Sequence, residues 1–295
     1  VIEFVPRPSP AGHVFDLAVV KGAVNAADVQ AFAAMAQPRT LVLNVFNGWD
    51  GDLPAVKAAF EGAHVVSLDL FGGRGLDVTE LSHFGHLQHL RVAGQVSGHL
   101  DLDAFPRLSS LGAGQVVKGK AGLKVHWGAC KRLSSLAGSW AVLPTMDQLA
   151  NMPALSTLQS VRPSCEPESL QALAHLRSLD FSLWGKLVTI RQLSGLFDRL
   201  QELSLYAASK LQDHQGLSEF QQLRKFCLHK CPSLRSGCVF AGMKSLECLH
   251  LLDTKVEDGD LSCLLGLPRL KDLACVDQAN LSPSRDELYA HFDCA

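Results

Sequence analysis

Leu200-Gln-Glu-Leu203-Ser-Leu205, Leu223-Arg-Lys-Phe226-Cys-Leu228, Leu246-Glu-Cys-Leu249-His-Leu251 and Leu270-Lys-Asp-Leu273-Ala-Cys275 follow one another at intervals of 23, 23 and 24 residues. Each segment places apolar residues at its first, fourth and sixth positions. In an extended chain the fourth and sixth side chains share one face, and the third, fifth and seventh share the other. A strand this short cannot bury its apolar face alone. Copies stacked at a fixed period can, each covering the next.

The pattern extends upstream. Clear copies are Leu176-x-x-Leu179-x-Phe181, Leu108-x-x-Leu111-x-Ala113, Leu87-x-x-Leu90-x-Val92 and Val65-x-x-Leu68-x-Leu70. Weaker copies are Leu155-x-x-Leu158-x-Ser160, Leu133-x-x-Leu136-x-Gly138 and Leu41-x-Leu43-x-Val45. The central residues 43, 68, 90, 111, 136, 158, 179, 203, 226, 249 and 273 lie 21 to 25 residues apart. Clustered leucines do not hold such a period by accident. Val14-x-x-Leu17-x-Val19 reads as a degenerate first copy.

Between the strands, Leu193-Ser-Gly-Leu196-Phe197, Leu217-Ser-Glu-Phe220 and Leu261-Ser-Cys-Leu264-Leu265 carry apolar residues at helical spacing. With these features the chain resembles the leucine-rich-repeat family over residues 14 to 278. Thr254-Lys-Val256-Glu-Asp258-Gly259 resembles the turn that opens the helix in the cysteine-containing repeats of that family, and Cys231 matches their cysteine. The resemblance implies an α/β fold: a right-handed solenoid, or horseshoe, of about 11 to 12 repeats with a parallel sheet on its concave face. Three segments are expected: residues 1–39 as an N-terminal extension and cap, 40–278 as the array, and 279–295 as a C-terminal helical cap. The N-terminal cap is expected as a helix from Asn25 to Gln37, ending before Pro38. Ser284-Arg-Asp-Glu287 is a capping box opening a helix through Phe292.

The ninth position departs from the family. Asn is usual there, whereas this chain has Gly48, Gly73, Gln95, Val116, Ala141, Pro163, Trp184, Ala208, Cys231, Thr254 and Gln278. Without an asparagine ladder, each inner turn must satisfy its backbone groups individually. Leu123-Lys-Val125-His-Trp127 is an extra strand-like piece inside the Leu111–Leu136 interval.

Composition narrows the function. A net charge of -2 offers no electrostatic footprint for nucleic acid, which proteins of this kind meet with a strongly basic face. Nine cysteines are an odd number and lie where small apolar residues would serve, so reduced thiols and a cytoplasmic location are expected. No apolar run approaches a membrane span, and the proline-rich start shows no signal-peptide core. The missing initiator Met suggests a trimmed start.

Alternation turns the fifth and seventh columns to solvent. Together they hold Phe46, Asp69, Phe71, Arg91, Gln159, Asp180, Tyr206, His229 and His250, with Trp140 and Trp184 at the rim. Exposed aromatics interleaved with charges are what protein interfaces use, so these residues are the expected partner-binding set. The opposing reading tucks some aromatics, the tryptophans above all, under the adjoining loops.

Other motifs carry less. Gly114-Gln-Val-Val-Lys-Gly119-Lys120 fits G-x-x-x-x-G-K, but Ala121 stands where a hydroxyl should hold magnesium, and a strand-like segment follows. Gly72-Gly-Arg-Gly75 reads as a turn leaving a strand. Cys227-Leu-His229 and Cys248-Leu-His250 lie on adjacent strands and could offer metal ligands, although no Asp or Asn is placed to orient either imidazole. No catalytic residues, cofactor or metal are expected.

The resemblance implies a non-catalytic protein-binding solenoid. Compact bacterial proteins of similar look include immunity proteins that neutralise a toxin domain, which is the expected role. An adaptor, scaffold or effector that binds a cellular protein is the alternative, and a metal- or Cys-dependent enzyme the remote one.

Overall fold

A computed structural model describes residues 1–8, 14–34, 40–61, 63–114, 122–128 and 130–292. The chain divides into two compact units: residues 1–144 with 152–154, and residues 145–151 with 155–295.

In the first unit, β1 (Ile2–Pro8) pairs antiparallel with β2 (Val14–Val20). The remaining main strands add in parallel: β3 (Thr40–Asn44), β4 (Ser67–Asp77), β5 (His89–Asp101), β6 (Ser110–Gly114) and then, past β7, β8 (Ser135–Ser139). β7 (Leu123–His126) is the extra piece seen in the sequence, and it pairs with the distal half of β5. Gly72-Gly-Arg-Gly75 is not a turn that ends β4. The strand continues to Asp77, with its register to β5 shifting between Gly72 and Leu76. Glycine is required opposite: Gly94 has φ +94°, and a Cβ there would stand 2.2 Å from the Gly72 carbonyl oxygen. Residues 115–121, which hold most of the phosphate-loop look-alike, lie outside the described residues.

The first two repeats are threaded differently from the sequence reading. β3 pairs Leu41 with Leu68 and Leu43 with Leu70, so Leu41 rather than Leu43 is the central residue. Leu41, Leu43 and Val45 alternate with period two, and a slide of two residues preserves their facing. In β2 it is Ala18 and Val20 that are fully buried and pair with Leu41 and Leu43, not Leu17 and Val19. Apolar residues occupy both parities there, and alternation gives no guide.

The second unit is regular. β9 (Thr157–Val161), β10 (Ser178–Ser182), β11 (Glu202–Tyr206), β12 (Lys225–His229), β13 (Cys248–Leu252) and β14 (Asp272–Cys275) pair in parallel and in chain order. Leu158, Leu179, Leu203, Phe226, Leu249 and Leu273 are successive register partners, all buried. Fully burying such a side chain contributes roughly 1.5–3 kcal/mol.

The connections are mostly 3-10 turns rather than α-helices. In Ile190–Leu196 the buried residues are Ile190, Leu193 and Leu196, a strict spacing of three that suits three residues per turn. Four α-helices are described: α1 (Ala26–Ala33), α2 (Leu53–Ala59), α3 (Met146–Ala150) and α4 (Arg285–His291). α1 begins at the Asn25 cap but stops at Ala33, short of the expected Gln37, and residues 35–39 lie outside the described set. Ser284 and Glu287 form the expected capping box on α4. No described helix is long and apolar enough to cross a membrane.

One device recurs after the first five strands of the second unit, β9 to β13. The eighth residue of the repeat is left-handed although it is never glycine: Arg162 (φ 55°), Leu183 (59°), Ala207 (51°), Lys230 (54°) and Asp253 (47°). That conformation costs an ordinary residue about 1–2 kcal/mol. In the first four the exposed N–H donates to the seventh residue's carbonyl on the next repeat. The pairs are Arg162 to Ser182 (2.8 Å), Leu183 to Tyr206 (2.7 Å), Ala207 to His229 (2.8 Å) and Lys230 to Leu252 (2.9 Å). The hydrogen bond offsets part of the strain, and the reversed φ swings the ninth residue inward.

Candidate functional site

The ninth residues that follow these left-handed positions, Pro163, Trp184, Ala208, Cys231 and Thr254, are therefore interior, which overturns one expected contact residue. Trp184 is not at the rim: its side chain is fully buried. It packs edge-on against Phe181, with ring centroids 4.9 Å apart, and its Nε1–H donates to the Cys165 carbonyl at 3.3 Å. The neighbours in that column replace the family's asparagines with individual solutions. Ala208 makes no side-chain hydrogen bond and simply fills space. The Cys231 thiol reaches the Leu205 carbonyl at 3.4 Å. Thr254 Oγ1 accepts from the Cys231 N–H at 3.1 Å and donates to the Leu252 carbonyl at 3.2 Å. The Gln278 amide takes both backbone groups of Val256, at 3.2 and 2.6 Å.

On the strand face of the first unit, Asp69 and Arg91 are register partners on β4 and β5. The Arg91 guanidinium lies over the Phe71 ring, 4.9 Å from its centroid. Gly112 faces Arg91 from β6, and a Cβ there would meet Arg91 Cγ at 3.2 Å. Phe46 leaves the seventh column, because the corrected register puts Asn44 beside Phe71. It sits instead on the 3-10 turn Val45–Asn47, whose first free N–H is capped by the Asn44 side chain, and is 78% exposed. Trp140 opens the short turn after β8 and is half-buried.

In the second unit the predicted face residues are tied to one another across the strands. Along the fifth column, Gln159 Nε2 donates to Asp180 Oδ2 at 3.0 Å, and Ser204 bonds both the Asp180 carboxylate and the Cys227 thiol. Burial pushes the Asp180 carboxyl above its ordinary range, and the bonds from Gln159 and Ser204 pull it partly back. Along the seventh column Tyr206 and His229 meet edge to face at 4.8 Å. Lys230 Nζ lies 5.8 Å from the Tyr206 ring centroid, and His229 Nε2 stands 3.4 Å from Asp253 Oδ2. Val161 and Leu183 add exposed apolar surface at the same strand ends.

Carboxylates do reach both imidazoles, contrary to the expectation from sequence. Asp272 Oδ1 lies 3.0 Å from His250 Nε2, and Asp253 stands beside His229. The four Cys and His residues of the two Cys-Leu-His segments do not come together as one group. Cys227 turns to Ser204, whereas Cys248 Sγ stands 3.4 Å from His250 Nε2. Asp272 lies in the third column, outside the fifth and seventh columns that define the expected face. It is the register partner of Cys248, and reading that column would have found it.

Four of the thiols are poorly prepared as nucleophiles. Burial, with help from the Asp272 carboxylate, pushes the Cys248 thiol up to about 12. Burial likewise raises Cys165 to about 12 and Cys130 and Cys263 to about 11. All four are protonated at neutral pH, whereas attack requires the thiolate.

The sequence matches no protein-family model, and no curated protein matches it. Solved structures do. An internalin (inlF) from Listeria monocytogenes superposes with a TM-score of 0.53 at 17% identity, covering 88% of this chain and 72% of that one. A leucine-rich-repeat protein from Leptospira interrogans matches at 0.39 and 13% identity, over 94% and 99% of the two chains. The leucine-rich-repeat ectodomain of an Arabidopsis thaliana receptor kinase matches at 0.37 and 13% identity, over 87% and 40%. The internalin match is one of fold.

Proposed function

We propose that this chain, which has the leucine-rich-repeat fold, is a non-catalytic protein-binding solenoid. Its partner docks on the strand face of residues 157–276. The observation that carries the reading is the seventh and eighth columns at the strand ends. There Val161, Leu183, Tyr206, His229 and Lys230 present apolar, aromatic and cationic surface side by side. The lateral contacts among Gln159, Asp180, Ser204 and Cys227, and between Tyr206 and His229, hold these side chains before a partner arrives. Rotamers already fixed lose less freedom on binding, which favours affinity. Asp69, Phe71 and Arg91 form a second cluster on the first unit for the same use, and Phe46 adds exposed aromatic surface on the turn after β3.

The test is capture by a photo-crosslinker placed at Ser182, between Val161 and Tyr206. A partner labelled by the wild type is lost when Asp180→Lys and Tyr206→Ala are combined, while the melting curve is kept. Undiminished labelling by that double variant moves the site elsewhere. The finer reading is an inhibitor of the immunity-protein kind, acting in a reducing cytoplasm. It rests on the resemblance stated above and on a face without an activated nucleophile. On that reading a neighbouring gene encodes a toxin domain, co-expression of this chain with it restores growth, and the same double variant fails to. The adaptor reading predicts capture of a cellular protein with no such rescue.

A further inference from the structure

Three side chains of the last two strands converge on one point of the face. Cys248 and His250 are two residues apart on β13 and project to the same side. Asp272 is the register partner of Cys248 on β14, diagonal to His250. Ala274, the partner of His250, is small enough to leave the imidazole room to lean toward Asp272. Sγ of Cys248 lies 3.4 Å from Nε2 of His250, which lies 3.0 Å from Oδ1 of Asp272. All three donor atoms fall within 4.8 Å of one another.

The choice of nitrogen separates two chemistries. A nucleophile relay uses the two ring nitrogens for different partners: one takes the thiol proton and the other is held by the carboxylate. Here thiol and carboxylate both address Nε2, so no proton can pass through the ring from one to the other. A metal ion instead asks its ligands to point at one centre. With Zn–S of about 2.3 Å and Zn–N and Zn–O of about 2.0–2.1 Å, tetrahedral angles place S and N about 3.5 Å apart and N and O about 3.3 Å apart. The distances in the cluster, 3.4 and 3.0 Å, are within a few tenths of an ångström of these.

We propose that Cys248, His250 and Asp272 form a three-ligand site for a divalent zinc-class ion, with the fourth position open to solvent and filled by water. One thiolate, one imidazole and one carboxylate suit zinc better than magnesium or calcium, which take oxygen ligands. Binding releases the Cys248 thiol proton to solvent, one proton per ion. Lys225, the neighbour of Cys248 on β12, is paired with Glu202, whose Oε1 lies 3.3 Å from its Nζ. Cys227 and His229 take no part.

Untagged protein stripped with a chelator and titrated with Co²⁺ tests the site. A thiolate-to-cobalt charge-transfer band should grow to saturation at one ion per chain and be bleached by one equivalent of Zn²⁺. Cys248→Ser should abolish the band. His250→Ala and the isosteric Asp272→Asn should each weaken cobalt binding at least tenfold, and Cys227→Ser should leave it unchanged. The wild-type titration decides by itself, however the variants fold: no band overturns the site. So does a band that survives Cys248→Ser, one that Cys227→Ser removes, or one indifferent to Asp272→Asn.

Discussion

Replacing Trp184 by alanine separates a buried anchor from a surface contact. The indole is fully buried, lies edge-on to Phe181 at 4.9 Å and donates its N–H to the Cys165 carbonyl at 3.3 Å. Truncating a buried aromatic to alanine costs about 3–5 kcal/mol through lost transfer energy and the cavity left behind. The abandoned Cys165 carbonyl adds about 1–3 kcal/mol if water cannot reach it. Trp184→Phe keeps most of the ring against Phe181 but loses the donor, and should cost only about 1–3 kcal/mol. Urea unfolding followed by circular dichroism gives both values against wild type. The expected order is a large drop in midpoint for Trp184→Ala and a smaller one for Trp184→Phe. A Trp184→Ala protein with a wild-type midpoint would refute the inward ninth column, and with it the account of the left-handed eighth residue.

Further expectations follow from other backbone and side-chain positions. Ala207 (φ 51°) should gain up to about 1 kcal/mol on Ala207→Gly, because relief of left-handed strain exceeds the added chain entropy. Ala207→Pro, which cannot adopt that φ and loses the N–H bonded to His229, should cost about 3 kcal/mol or more; equal midpoints for the two would contradict this. Gly138→Ala would set a Cβ 1.9 Å from the Ala113 carbonyl oxygen, so β6 and β8 must shift, at a cost of about 1–3 kcal/mol in thermal or urea melts. His214 is buried, its Nε2 has no partner among the described residues, and burial lowers its pKa despite the nearby Asp213. Above about pH 6.5 it is neutral folded and unfolded alike. As pH falls through that value the unfolded chain takes up a proton that the folded one refuses, and stability is lost. The melting temperature should therefore fall less between about pH 7 and 5 in His214→Gln than in wild type, and parallel profiles would exclude His214 as a contributor.

Much of the fold was legible because a repeat states its register many times. From Leu158 to Leu273 the first-, fourth- and sixth-position leucines admit one threading, and the strands pair on it without a slip. Where the pattern thinned, the threading moved. Leu41-Val-Leu43 reads equally well two residues along, and Leu17 to Val20 is apolar at every position. Pairing with Leu68 and Leu70 settled both, and moved Phe46 off the strand onto the turn after it.

By itself, then, the sequence determined the period, the inward leucines and the outward fifth and seventh columns, since alternation along a strand is a local property of the backbone. Tertiary structure decided which way the chain turned once each strand ended. A left-handed residue at Leu183, held by the Tyr206 carbonyl one repeat away, sends Trp184 into the core. It decided also who meets whom across the face. Asp272 reaches His250 from 22 residues away, and Cys227 answers to Ser204 rather than to His250. Such pairings depend on which side chain fills the space between strands about 4.8 Å apart, a contest that no single repeat records.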